Sequence, residues 1–359
     1  MKKYLALILA VLMCLSVMTA CGKTEEPAPA APAAPAAAEP AAEPAAETEP
    51  AVEPLVIQVG FENTTEEPVG RAVVKWAELI EEQSNGTIKF ELFPNSALGS
   101  KSELVDQMVM GENVITITDA SFNADYGATD MGIMYGPFFF ASWDDVWKLL
   151  DSDWYAEQCQ ILADKGVTIL ASNWIYGERE LMTKEKVVLP EDMKGMKIRL
   201  ANSPIYVEGF NALGATAVPM ALGDVYTSLQ NGTLDGVENP LSTLWGQSFQ
   251  EVCSHIVMTG HIKNFSTWVI GTDYFQSLTA EQQALLKSTA EEAGIYNNQL
   301  KDETDVEYAQ MLTDAGVEII ELTPEEIAVW KKAGESFYDL SDSFGWSEGL
   351  YETTQAAMK

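Results

Sequence analysis

From residue 55 onward, short β-type runs alternate with stretches of helical periodicity, and this alternation confines the chain to the α/β class. Leu55–Gly60 reads as a strand. Pro68–Ser84 follows, with Val69, Val73, Trp76, Ala77 and Ile80 on one helical stripe, and Asn85-Gly86 stops it. Thr87–Phe93 alternates as a strand, Ser102–Met110 is helical up to Gly111, and Val114–Thr118 is a third strand. That order implies a largely parallel sheet. Trp143–Lys165 reads as one helix, followed by a strand over Val167–Ala171. Lys197–Leu200, Ala215–Pro219 and Asp235–Glu238 are further short strands, separated by helices through Tyr206–Leu213 and Asp224–Asn231. Ala280–Asp314 is helical for 35 residues, broken only at Gly294. At 1.5 Å per residue such a helix spans about 50 Å, longer than a small domain is wide, so it suits a chain with two lobes.

The segment before residue 55 has a different character. Lys2 and Lys3 precede an apolar run from Tyr4 to about Val17, the pattern of an export signal. It ends at Met18-Thr19-Ala20-Cys21-Gly22, where small residues before a cysteine resemble the bacterial lipobox, with acylation at Cys21. Met18 departs from the usual Leu of that box, and cleavage near Ala20 without a lipid is the alternative. Residues 22–54 are almost wholly Ala, Pro, Glu and Thr and hold eight of the 16 prolines, so they have no apolar face to bury. Extended, the segment would reach roughly 100 Å, the span of a surface tether. Cys159 and Cys253 lie in apolar surroundings in the remainder, as two buried thiols or one disulfide.

The 54 acids and 21 bases of the 359 residues leave a formal charge of −33. Nucleic acid and anionic lipid headgroups both require clustered Lys and Arg, so neither is a partner for this surface. Signatures of catalysis are missing as well. His255 and His261 form no metal-binding helix pair, there is no Cys-x-x-Cys, no phosphate-cradling glycine loop and no Gly-x-Ser-x-Gly elbow, and nothing calls for a metal or cofactor. Arginine is scarce: the residues are Arg71, Arg179 and Arg199. Arg71 falls on an acidic helix. Arg199 sits in the apolar strand Ile198-Arg199-Leu200, and Arg179 follows Trp174-Ile175-Tyr176-Gly177. A guanidinium in such surroundings needs an anionic partner, either a nearby Asp or Glu or a bound anion.

Several motifs then fall in one order. They are Ser84-Asn85-Gly86, Phe93-Pro94-Asn95-Ser96, Leu98-Gly99, Pro190-Glu191-Asp192-Met193-Lys194-Gly195-Met196-Lys197-Ile198-Arg199, Gly214-Ala215, Pro219-Met220, Asp224–Gly232 and Asp235-Gly236-Val237-Glu238-Asn239-Pro240-Leu241. This series resembles the DctP-type solute-binding proteins of TRAP transporters over about residues 55–340. The resemblance implies a two-lobed periplasmic-binding-protein fold of type II, the Venus-flytrap kind, with a long helix spanning both lobes. Lobe I would take 55–176 plus 265–304, and lobe II 177–264 plus 305–359. It implies an exported protein, usually a monomer, that hands its cargo to the membrane subunits of a transporter driven by an ion gradient. Service to a chemoreceptor or sensor kinase is the alternative, and enzymatic activity is not expected.

Carried over residue by residue, Arg199 is the bidentate partner of a ligand carboxylate, and its two parallel N–H donors suit that task. Arg179 matches a second cleft arginine, and Asn239 an amide that orients the same carboxylate. Asp119 and Glu62 fall where the first lobe presents polar contacts, and Leu222 stands where relatives often carry Phe. Glu62 and Asp119 are acidic where many relatives are neutral. If both line the cleft they would repel a second carboxylate and welcome hydroxyls, which favours a uronic or other sugar acid over a C4-dicarboxylate.

Overall fold

A computed structural model describes residues 53–359. The export signal, Cys21 and all but the last two residues of the 22–54 segment lie outside the described residues.

Nine strands form one mixed sheet. They are β1 (Leu55–Gly60), β2 (Ile88–Phe93), β3 (Val114–Thr118), β4 (Val167–Thr183), β5 (Lys197–Leu200), β6 (Thr216–Pro219), β7 (Gly236–Asn239), β8 (His255–Gly271) and β9 (Glu318–Glu321). Their order is β2-β1-β3-β8-β4-β7-β5-β6, with β9 beside β8. The expected parallel pairing holds within two groups: β1 with β2 and β3, and β5 with β6 and β7. The sheet as a whole is not largely parallel. β4 and β8, each 17 residues long, pair antiparallel to each other and to the groups beside them. β4 was legible only as Val167–Ala171, because four register shifts along β4 and β8 break its alternation.

The register explains how a cleft arises. β3 ends with Thr118 opposite Thr267 of β8, and β7 ends with Asn239 opposite Glu180 of β4. Since Arg179 pairs with Ile262, the carboxyl ends of both parallel groups converge on the middle of β8, between residues 262 and 267. Ligands of open α/β sheets bind outside the carboxyl ends of strands.

Separate apolar cores support the two groups. Trp76, Trp174 and Trp268 pack with Ile57, Val59, Leu286 and Ala293 under β1–β3. Leu222, Val225, Val237 and Phe249 pack with Tyr308 and Leu312 under β7. The helix Ala280–Asp314 contributes to both, and it runs unbroken through Gly294. Its start is a capping box, with the Thr279 side chain accepting from Gln282 N and the Gln282 side chain from Thr279 N. At Gly294 a Cβ would stand 2.5 Å from Asn173 Oδ1 and 2.7 Å from Trp174 Cδ1, so glycine lets β4 approach the helix. The stretch Trp143–Lys165 is two helices, Trp143–Leu150 and Asp153–Asp164. Ser152 separates them because its hydroxyl caps the second, accepting from Tyr155 N at 3.2 Å. Cys159 and Cys253 are free thiols.

Candidate ligand-binding site

The convergence of strand ends creates a cavity lined by Glu62, Lys101, Asp119, Phe122, Tyr176, Arg179, Arg199, Tyr206, Leu222, Asn239 and Asn264, among others. All six residues singled out from the sequence are on its wall. The cavity volume is about 80 Å³.

The placement follows from the topology. Glu62 comes just after β1 and Asp119 just after β3, while Arg199 lies on β5 and Asn239 ends β7. Strand alternation separates Glu238 from Asn239: the amide lines the cavity and the carboxylate turns to Arg179.

The two arginines differ in what holds them. Arg179 is 4% exposed and held by four hydrogen bonds to protein. Its Nη2 donates to Glu238 Oε1 at 2.7 Å and to the Glu238 carbonyl at 3.0 Å, its Nε donates to Glu238 Oε2, and its Nη1 donates to Asn264 Oδ1 at 2.7 Å. Burial opposes its charge, but Glu238 outweighs burial and raises its pKa. The same pair holds the Glu238 carboxyl below its ordinary value despite complete burial. His261 Nε2 lies 3.2 Å from Glu238 Oε2, and burial lowers its pKa despite that carboxylate. For Arg179, then, the anionic partner is an acid of the protein.

Arg199 has no such partner. It is 3% exposed. Its Nε and Nη2 both donate to the Met220 carbonyl, at 2.9 and 2.6 Å, and among the described residues no carboxylate comes within 4.0 Å of it. Nη1 finds no acceptor among the described residues. Burial lowers its pKa, with Glu62 and Glu238 only partly offsetting that. Asn239, 2% exposed, also keeps its side-chain amide free of protein partners among the described residues. A desolvated guanidinium anchored on one edge, beside an unengaged amide, is a receptor for an anion.

On the wall built by β1–β3, Asp119 is largely committed to its own chain. It caps helix Ala120–Asp125, its Oδ1 accepting from Ser121 N at 3.0 Å, Ser121 Oγ at 2.5 Å and Phe122 N at 3.3 Å. Tyr206 OH donates to its Oδ2 at 3.4 Å. Sequence reasoning missed Lys101. Its Nζ stands 3.3 Å from Glu62 Oε2, 3.7 Å from Asp119 Oδ2 and 4.4 Å from the centre of the Phe122 ring. The two acids therefore do not act alone, and the expectation of a doubly negative wall is corrected to a triad with one net negative charge. Only the neighbouring Leu98-Gly99 motif pointed toward this helix start. Leu222 is 4% exposed and joins the core under β7 while touching the cavity. Among the described residues, no group of three or more His, Cys, Asp or Glu is placed to hold a metal.

The sequence model of the family described as "Bacterial extracellular solute-binding protein, family 7" matches residues 59–343. The chain belongs to this DctP family. The 2,3-diketo-L-gulonate-binding periplasmic protein of Escherichia coli K12 is 31% identical over 265 residues, 74% of this chain and 80% of that one. The C4-dicarboxylate-binding periplasmic protein of Rhodobacter capsulatus is 28% identical over 286 residues, 79% of this chain and 86% of that one. A crystal structure of a TRAP periplasmic solute-binding protein from Ochrobacterium anthropi, with bound L-fuconate, is 37% identical with a TM-score of 0.81, covering 85% of this chain and 100% of that one. The fold is the two-lobed α/β one of TRAP solute-binding proteins. The DctP-family protein is thus an extracellular solute-binding protein of the kind that serves TRAP transporters. No helix among the described residues is long and apolar enough to cross a membrane.

Proposed function

We propose that the cargo is a sugar acid, bound with its carboxylate on Arg199 and Asn239 and its hydroxyls toward Glu62, Lys101 and Tyr206. One observation carries this reading: Arg199 is buried, lacks an acidic partner among the described residues and ends in the cavity. Arg179 tunes the site by holding Glu238 and Asn264 in place rather than by meeting the acid head-on. The lobes divide at 55–176 plus 265–304 and 177–264 plus 305–359. Ligand bound to one lobe favours closure by contacting the other, and closure excludes water and strengthens the ion pair. Binding is the whole task, with no catalytic step. The protein is a monomer, tethered through a lipid on Cys21 and the 22–54 segment, and Cys21→Ser would release it from the membrane fraction.

The binding test is a thermal-shift screen of the exported chain against hexonates, hexuronates, glycerate and C4-dicarboxylates. A ligand at about 1,000 times its Kd stabilises by roughly 4 kcal/mol, several degrees for a protein of this size. The expected result is a shift with a sugar acid that disappears in Arg199→Ala. No shift with any acid would overturn the reading. A C4-dicarboxylate is the second reading, supported by the likeness to the C4-dicarboxylate-binding periplasmic protein of Rhodobacter capsulatus. Succinate shifting the melt more than every sugar acid would select it.

A further inference from the structure

We propose that Lys101 is the specificity-determining residue of the cavity, selecting a long hydroxylated chain over a short one at the wall built by β1–β3. The assignment rests on the carboxylate reading of Arg199 given above.

Lys101 opens helix Lys101–Val109, whose capping box between Ser100 and Glu103 fixes where the side chain departs. The Phe122 ring lies 4.4 Å below the ammonium and restrains it as a cation–π partner. Only 11% of the side chain is exposed, as against 16% for Glu62 and 6% for Asp119. The ammonium is close to both acids, yet it makes no hydrogen bond of good geometry to either one. At 3.3 and 3.7 Å it stands beside them and keeps its N–H groups available. Glu62 likewise has Lys101 as its charged neighbour, and its carboxylate accepts no hydrogen bond among the described residues, while its backbone carbonyl accepts from Gln247 Nε2 at 3.5 Å. Asp119, by contrast, is occupied by its helix cap.

A donor and an acceptor therefore stand side by side on the cavity wall, each with capacity left over. A hydroxyl satisfies both at once. Its oxygen accepts from Lys101 and its proton goes to Glu62. A vicinal pair of hydroxyls does so with less strain. A second carboxylate can accept from Lys101 but carries no proton for Glu62, and it would enter beside two carboxylates that one ammonium cannot neutralise. A ligand ammonium meets the opposite obstacle in Lys101 itself. The triad is thus matched to neutral hydroxyls, and Arg199 supplies the recognition of the acid.

The experiment compares L-fuconate with D-glycerate by calorimetry in wild type, Lys101→Met and Lys101→Gln, with melting curves as a check on folding. Glycerate keeps the acid end but lacks the chain that reaches the triad. Losing hydrogen bonds to a charged group weakens L-fuconate by about 10- to 100-fold, while glycerate, whose chain is too short to make that contact, loses far less. The fuconate-to-glycerate preference therefore collapses in both variants. An equal loss for both acids would show that Lys101 acts only through the overall field of the cavity, and would overturn the proposal. So would an unchanged preference. Wild-type protein that binds neither acid would sink the sugar-acid reading itself, whereas wild-type binding with an unaltered ratio would sink only the role of Lys101.

Discussion

Arg179 and Arg199 are buried to nearly the same degree, yet their partners give them opposite consequences. Arg179→Ala strands the fully buried Glu238 carboxylate, and breaking a buried pair from one side costs about 3–5 kcal/mol. Urea denaturation of the unliganded variant should show that loss. Arg199→Ala removes a charge that burial already disfavours, together with two bonds to one carbonyl. Its unliganded stability should stay within about 1.5 kcal/mol of wild type, while its ligand-induced thermal shift vanishes. A large stability loss in Arg199→Ala would mean that this side chain is a structural strut. The sequence marked both arginines as needing anions but could not say which anion. Glu238 reaches Arg179 only because β4 and β7 pair in one register.

At the scale of elements, the decisive contact is between the long helix Ala280–Asp314 and β4. Gly294 is a point of close approach. In an exposed helix, Gly→Ala stabilises by roughly 0.5–1 kcal/mol. Here the added methyl would collide with Asn173 and Trp174, so Gly294→Ala should instead destabilise by about 1–3 kcal/mol in chemical denaturation. A stabilised variant would show that the helix and strand can part without cost. Legibility varies between elements for identifiable reasons. Leu55–Gly60, Val114–Thr118 and Ala280–Asp314 were read with their observed limits, because alternation, capping residues and terminating glycines act locally. The helix break at Ser152 was missed because the apolar periodicity runs on past it. β8 received no reading at all, and its pairing depends on β3 and β4, which lie far from it along the chain.

For the whole molecule, buried carboxyls give stability a pH dependence. Burial pushes Glu180 up to about 8 and Glu67 up to about 7, from 4.5. The folded state then holds more protons than the unfolded one between those values, so these groups make the protein less stable as pH rises through that window. Each contributes a slope approaching about 1.4 kcal/mol per pH unit. His261, lowered by burial, acts in the opposite sense below 6.5, so the comparison is best made from pH 6.5 to 8. Glu180 accepts from Gly260 N at 2.7 Å, a bond that a glutamine oxygen can also accept. Glu180→Gln should therefore flatten the decline in urea midpoint across that range. An unchanged decline would show that Glu180 ionises as freely in the folded protein as in the unfolded chain.

The sequence by itself determined the α/β class, the separation of an Ala/Pro/Glu-rich leader from a foldable remainder, and the residue types able to receive an acid. Those properties rest on local periodicity, composition and motif order, which are written along the chain. The tertiary structure alone decided that Arg179 belongs to Glu238 while Arg199 remains open to the cavity, and that Lys101 stands between Glu62 and Asp119. Charges act through space with a strength set by distance and burial. Those distances exist only once β1, β3, β5 and β7 end at the middle of β8.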